Sequence, residues 1–275
     1  MNLITRYMLI GGAIAGAFTN FIACGAQMYK ASLEGDHTPS SSTQLANSED
    51  PASPEFGLHA PQGWRNLPIP YKSDRGLSKI QLSALQAAMK TWETAVGKNL
   101  FRYDGIHASI TGDSFPDLYS SLQDRVNGQY FDSNWKKTGK SNIVLATTIW
   151  NNVNNNYAAI DGADIRYNQE VYFISDALKD HPMDQREIVD MQSLATHELG
   201  HLLGLAHISE NYDSSSIMNP SIMIGEGLAN RSLSVGDVER IQKIYGCLGS
   251  ACDANKTARL IMQSSLQPAQ LQPAH

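Results

Sequence analysis

Four side chains suited to metal-assisted hydrolysis stand close together in the run His197-Glu-Leu-Gly-His201-Leu-Leu-Gly204-Leu-Ala-His207. Residues four apart share one face of a helix, so His197 and His201 can direct two imidazoles at one point, with Glu198 about 100° further round the helix. Gly204 tolerates the positive φ that ends helices, which lets the chain turn back and bring His207 to the same point. Three histidine ligands leave the fourth position of a tetrahedral zinc ion to water, as in catalytic zinc sites.

This set of residues predicts hydrolysis with one catalytic Zn²⁺ held by the three histidines. Zinc lowers the pKa of a bound water to about 7, and Glu198 can act as the general base that takes its proton and passes it to a leaving amine. We therefore predict a zinc endopeptidase that acts on protein or peptide substrates. The alternative is a non-catalytic surface adhesin or binding module that keeps the same fold, and loss of Glu198 or of one histidine would have marked it.

Two helices are predicted on either side of the motif. Ser78 caps the first in a capping box with Gln81, and Gly97 ends it. Ser234 caps the second, and Gly246 terminates it. The residues expected to face the core are Leu82, Leu85, Met89, Trp92 and Val96 in the first helix and Val238, Ile241 and Ile244 in the second.

Three strands are predicted from short apolar or alternating runs. A first strand covers residues 67–71, and a buried strand covers residues 142–146. The more polar run at 162–168 is assigned to the edge of the sheet, with Asp164–Asn168 as the candidate edge strand.

The motif resembles the zinc signature of the metzincin peptidases. Ser216-Ile-Met218-Asn-Pro220 resembles their Met-turn, in which a methionine packs beneath the metal, while Met223 is a weaker candidate because no proline follows it closely. Residues 233–246 resemble the final helix of one subgroup, the matrixins, and residues 64–93 resemble the start of their catalytic domain. The resemblance spans roughly residues 60–247 and indicates a bacterial matrixin-like protein.

This resemblance implies an α+β fold of the metzincin, or zincin, type. The expected architecture is a twisted mixed sheet with an antiparallel edge strand, two long helices and a small C-terminal subdomain. A peptide substrate would add to the edge strand, with residues 220–224 forming the wall of a specificity pocket. No histidine lies between Ile143 and Tyr172 to bind a second, structural zinc, whereas the carbonyl groups of Asn151–Asn156 are candidate ligands for Ca²⁺.

The three cysteines help to predict where the protein is located in the cell. An apolar run from Met8 to Phe18 is too short to span a bilayer but has the length of an export-signal core. Phe-Ile-Ala-Cys24 resembles a bacterial lipobox, which would make Cys24 a lipid anchor in the cell envelope. Cleavage after Ala26, which gives a secreted protein, is the alternative. Cys247 and Cys252 then form a disulfide in an oxidising compartment or stay as two unpaired thiols.

The 275-residue chain is therefore predicted to have four parts. An export signal covers residues 1–24, a disordered tether 25–57, the peptidase domain 58–252 and a flexible tail 253–275. A net charge of -6 argues against sequence-independent binding of nucleic acid, which needs a basic surface. We expect a monomer whose partners are its substrates and, through the anchor, a membrane.

Overall fold

The computed structural model describes residues 51–54, 56–107, 126–153 and 159–266. The predicted export signal, Cys24 and most of the predicted tether lie outside the described residues. Within the described part of the chain, no helix has both the length and the apolar character needed to cross a bilayer.

The described residues form four α-helices, α1 (Lys79–Val96), α2 (Met191–Leu202), α3 (Val235–Tyr245) and α4 (Ala254–Leu266). The two helices predicted from capping residues, α1 and α3, are confirmed. Helix α1 begins after Ser78, whose hydroxyl accepts from the Gln81 N–H, and Gly97 ends it at a φ of +68°. Helix α3 begins after Ser234 in a second capping box, with Asp237.

The main sheet is mixed. Its described strands are β1 (Gly63–Trp64), β2 (Ile69–Asp74), β3 (Phe101–His107), β4 (Gly128–Asp132), β5 (Ala146–Val153) and β6 (Ala159–Asn168). Their order is β3-β2-β4-β6, and β1 and β5 both pair with β6. The β5–β6 pair is antiparallel and the other pairs are parallel. A small parallel pair, β7 (Phe173–Ser175) with β8 (Ile188–Asp190), leads into α2.

The prediction that Asp164–Asn168 is the edge strand is wrong. These residues belong to β6, which is paired with β4 on one side and with β5 on the other. Their polarity is explained by partners inside the sheet, because Asp164 accepts the Gly128 N–H and Arg166 forms a buried ion pair with Asp132. Among the described residues, β5 pairs with β6 alone, and it begins at the last residue of the strand predicted at 142–146.

The core lies between the sheet and helices α1 and α2. Trp92 of α1 is completely buried there, and its indole N–H donates to the Thr196 carbonyl of α2 at 2.8 Å. Trp92 therefore holds α1 against α2 both by packing and by a hydrogen bond.

The prediction of a flexible tail from residue 253 is wrong for residues 254–266, which form α4. Ala258 and Ile261 are three residues apart, lie on one face of this helix and are buried in the core. A disulfide between Cys247 and Cys252 closes the connection from α3 to α4. The prediction failed because it relied on the Gln-rich composition and missed the apolar face of this helix. Residues 267–275 lie outside the described part of the chain.

The tether boundary also shifts slightly. Phe56 packs against the core, and the Gly57 carbonyl accepts from the Ala206 N–H at 2.9 Å. The folded part of the protein therefore begins at residue 56 or earlier, and not at residue 58.

Candidate active site

Three histidine side chains converge at the end of helix α2. His197 and His201 lie one turn apart on the helix, and the turn that follows it brings in His207. Their Nε2 atoms are 3.0 Å (His197 to His201), 3.1 Å (His201 to His207) and 3.3 Å (His197 to His207) apart. Among the described residues, these histidines are the one group of at least three His, Cys, Asp or Glu side chains whose ligand atoms all lie within 4.8 Å of one another.

The nitrogen atoms fit a tetrahedral zinc ion. Zn–N bonds of about 2.0–2.1 Å place neighbouring ligand atoms about 3.3–3.4 Å apart, close to the spacing of the three Nε2 atoms. The His197 Nδ1 lies 2.7 Å from the Ile217 carbonyl, and the His201 Nδ1 lies 2.9 Å from the Leu205 carbonyl. Because a carbonyl only accepts, each Nδ1 must carry the proton, which leaves Nε2 free to bind metal.

Burial keeps these imidazoles neutral. It lowers the pKa of His197 to about 4 and that of His207 to about 3. Burial, together with the neighbouring His207 and His197, also lowers the pKa of His201 well below its ordinary value. A histidine must be deprotonated to bind a metal, so the site meets this requirement at neutral pH.

Glu198 is fully buried on α2 and is oriented by a residue of β5. The Thr148 hydroxyl lies 2.7 Å from Glu198 Oε2 and 3.0 Å from the Glu198 carbonyl oxygen. Thr148 was not predicted from the sequence. Its role depends on the docking of β5 against α2, and no local pattern around residue 148 signals that contact.

Met218 is the methionine beneath the site. It is completely buried, and a Cβ added at Gly200 of α2 would lie 2.3 Å from its sulfur, so glycine at that position permits the close approach. Met223, the weaker candidate, is 77% exposed. The structure therefore places Met218, and not Met223, under the histidines.

The turn that presents His207 is held by residues 216–219, which are called the Met218 segment below. The Ile208 N–H donates to the Met218 carbonyl, and the Asn219 side chain donates to the Ile208 carbonyl, both at 2.9 Å. Gly204 begins the turn at a φ of +105°, which agrees with the role predicted for it. These two hydrogen bonds hold Ile208 in place, and Ile208 directly follows the third histidine, His207.

A buried carboxylate ties helix α3 to the same segment. Asp237 accepts hydrogen bonds from the Ser216 hydroxyl, the Ile217 N–H and Arg240. Ile217 is the residue whose carbonyl orients His197, so Asp237 acts on the site through the backbone. The Asp237 carboxylate also accepts the N–H of Ser234 at 2.9 Å, which completes the capping box at the start of α3.

The remaining predicted residues lie away from the histidines or outside the described ranges. The Cys247–Cys252 disulfide closes the loop after α3, and Cys24 is not among the described residues. Of the candidate calcium ligands, residues 154–156 are also outside, so calcium binding stays a prediction. His59, which no motif signalled, lies beside the site with its ring centre 6.4 Å from that of His201.

Three histidines and a glutamate on a helix-and-turn, above a buried methionine, form the arrangement of the metzincin zinc peptidases. The Matrixin family model matches residues 79–246, more than half of the chain. The chain belongs to the matrixin family of peptidases, and membership implies that it binds zinc.

Individual relatives are similar over shorter stretches. Metalloendoproteinase 1-MMP of Arabidopsis thaliana is 39% identical over 77 residues, which is 28% of this chain and 19% of the relative. Metalloendoproteinase 2-MMP of the same plant is 48% identical over 58 residues, or 21% and 14% of the two chains. Matrilysin of Felis catus is 43% identical over 58 residues, 21% of each chain. The chain thus covers about a fifth or less of these relatives.

Proposed function

We propose that this protein is a zinc-dependent endopeptidase in which His197, His201 and His207 bind one zinc ion and Glu198 is the general base. The observation that carries the proposal is the convergence of three neutral imidazoles, two buried and one half-buried, beside a buried carboxylate. Zinc, when bound, supplies a Lewis acid that activates water and polarises a carbonyl group. The complete set of four residues argues against a binding module that has lost catalysis.

Glu198 transfers the proton in the proposed reaction. Its carboxylate accepts a proton from the attacking water and returns it to the amine that leaves. The Thr148 hydroxyl donates to Oε2 and restricts the rotation of the carboxylate. A base held in one orientation loses little entropy when the substrate arrives.

The substrate binds as an extended peptide along β5. The only described neighbour of β5 is β6, so β5 is the strand proposed to pair with a peptide. Residues 146–149 are buried in the peptide-free protein, and pairing requires their main-chain groups to become accessible. Thr148 lies within β5, so a peptide paired there passes next to Glu198. Residues 220–224, which follow Met218, form the wall of the specificity pocket, and the side chains of Ile222 and Ile224 favour apolar substrate residues.

The test uses the purified protein loaded with zinc and a casein or fluorogenic peptide substrate. Glu198→Gln keeps the size of the side chain but removes the base, so activity should fall at least about 100-fold while bound zinc stays at one equivalent. Glu239→Gln, an exposed change on α3, is the matched control and should be fully active. Full activity of Glu198→Gln, activity that resists a chelator, or no activity after zinc loading would each refute the proposal.

We also propose that the protein is exported and anchored in a bacterial envelope through Cys24, with secretion as the alternative. Support comes from the export-signal pattern of residues 1–24 and the lipobox-like residues before Cys24. Mass spectrometry of the mature N-terminus distinguishes the two. A lipid-modified Cys24 supports the anchor, and an unmodified start at Gln27 excludes it.

A further inference from the structure

The segment Phe56–Trp64 lies against the metal-binding helix although it precedes the residues that match the family, 79–246. Leu58, Ala60 and Trp64 are all at most 7% exposed. The segment is thus packed into the fold, and several of its hydrogen bonds reach the end of α2 and the turn that leads to His207.

The segment satisfies carbonyl groups that a helix end leaves without partners. The Trp64 indole N–H donates to the Leu202 carbonyl at 2.7 Å. The His59 and Ala60 N–H groups both donate to the Gly204 carbonyl, at 2.7 and 3.1 Å. Buried carbonyl groups without donors are costly, so these bonds stabilise the helix end next to His201.

The same segment pairs with the turn itself. Leu58 forms an antiparallel bridge with Leu205, and the Ala206 N–H donates to the Gly57 carbonyl at 2.9 Å. The Leu205 carbonyl in turn orients His201 through its Nδ1. The turn between the second and third histidines is therefore held by the N-terminal segment on one side.

The side chain of His59 completes the contact. Its ring centre lies 5.3 Å from that of Trp150, edge to face, and 6.4 Å from that of His201. Among the described residues its buried Nδ1 has no hydrogen-bond partner. The contribution of His59 to the site is consequently the packing of its ring and the backbone bond to Gly204.

We propose that the segment Phe56–Trp64 is a supporting part of the metal centre, in which Trp64 and His59 are positioning residues that set how tightly the site holds zinc. The proposal rests on the proposed zinc site. It adds that zinc affinity is controlled by a segment that precedes residues 79–246, the range that the family model matches. Removing the support loosens the Gly204–Ala206 turn, so the position of His207 becomes less well defined and zinc is released more readily.

The experiment measures the zinc dissociation constant of the full chain by competition with a chromophoric chelator, and the Tm of the metal-free protein. Trp64→Phe keeps an aromatic ring but removes the N–H that binds the Leu202 carbonyl. Trp135→Phe is the matched control, since that indole N–H binds the Ser141 carbonyl at 3.2 Å and not a carbonyl of α2. Trp64→Phe should weaken zinc binding about fivefold and Trp135→Phe less than about twofold, although both lower the Tm.

A second pair of variants covers the case in which Trp64→Phe does not fold. His59→Ala should weaken zinc binding about tenfold, and His59→Phe should restore most of the affinity because Nδ1 makes no hydrogen bond to the part of the chain that the structure describes. Zinc affinity in both Trp64→Phe and His59→Ala equal to that of the unaltered protein would overturn this proposal alone. Zinc binding without peptide cleavage would overturn only the proposed function, and an unaltered protein that binds no zinc would overturn both.

Discussion

At the residue scale, the site depends on three imidazoles that are kept neutral by burial. In the folded protein the pKa of His197 is lowered to about 4 and that of His207 to about 3, whereas an unfolded chain has histidine pKa values of about 6.5. The folded state therefore binds fewer protons than the unfolded state over this range. The stability that these neutral histidines contribute is fully present above a pH of about 6.5. It is lost as the pH falls towards the two lowered pKa values.

We accordingly expect the metal-free protein to become less stable on acidification from pH 7.5 to pH 5. Urea unfolding at the two pH values measures the change. His207→Gln, which has one titrating imidazole fewer, should show a weaker dependence on pH. Equal stability of the unaltered protein at both values would contradict the inferred protonation states.

At the scale of secondary-structure elements, helix α3 supports the site from a distance through one carboxylate. Asp237 receives hydrogen bonds from the Met218 segment and an ion pair from the buried Arg240. Asp237→Ala would leave the Arg240 charge and two backbone N–H groups without this acceptor. We expect a loss of about 3–5 kcal/mol in the free energy of unfolding.

Chemical denaturation of Asp237→Ala measures this loss. Glu239→Ala changes an exposed carboxylate two residues away on the same helix and should stay within about 0.5 kcal/mol of the unaltered protein. Equal effects of the two substitutions would show that α3 does not depend on the buried carboxylate.

Helix α4 makes a separate contribution, because its buried face covers α1 and α3. Ile261 is 3% exposed while its neighbour Leu260 is 48% exposed. We expect Ile261→Ala to lower the free energy of unfolding by about 2–4 kcal/mol and Leu260→Ala by less than about 1 kcal/mol. Similar small losses for both would support the flexible tail that composition alone suggested.

At the scale of the whole molecule, the metal centre joins parts of the chain that are far apart in sequence. Helix α2, the Met218 segment, α3 and the segment Phe56–Trp64 all meet around the three histidines. A metal bound there stabilises only the folded state, since the unfolded chain does not bring the ligands together.

We therefore expect zinc removal to lower the Tm of the protein. At free zinc about 100-fold above the dissociation constant, binding adds about 2.7 kcal/mol to the free energy of unfolding. Differential scanning calorimetry with zinc and with a chelator measures the shift. His201→Ala removes one ligand and should abolish it, whereas a shift of the same size in that variant would place the stabilising zinc elsewhere.

The sequence by itself determined the features that depend on neighbours within one turn or one motif. Side chains within a few residues of each other supply the capping boxes at Ser78 and Ser234, the positive φ at Gly204 and the convergence of His197 with His201. Regular backbone geometry dictates these features whatever surrounds them.

Only the tertiary structure decided which elements meet. Asp164–Asn168 looked like an edge strand because it is polar, yet its charges are satisfied inside the sheet by Gly128 and Asp132. Thr148 reaches Glu198 across 50 positions of sequence, and Trp64 reaches Leu202 across 138. Contacts of this kind leave no local periodicity, because the packing of separate elements, and not the spacing of neighbours along the chain, creates them.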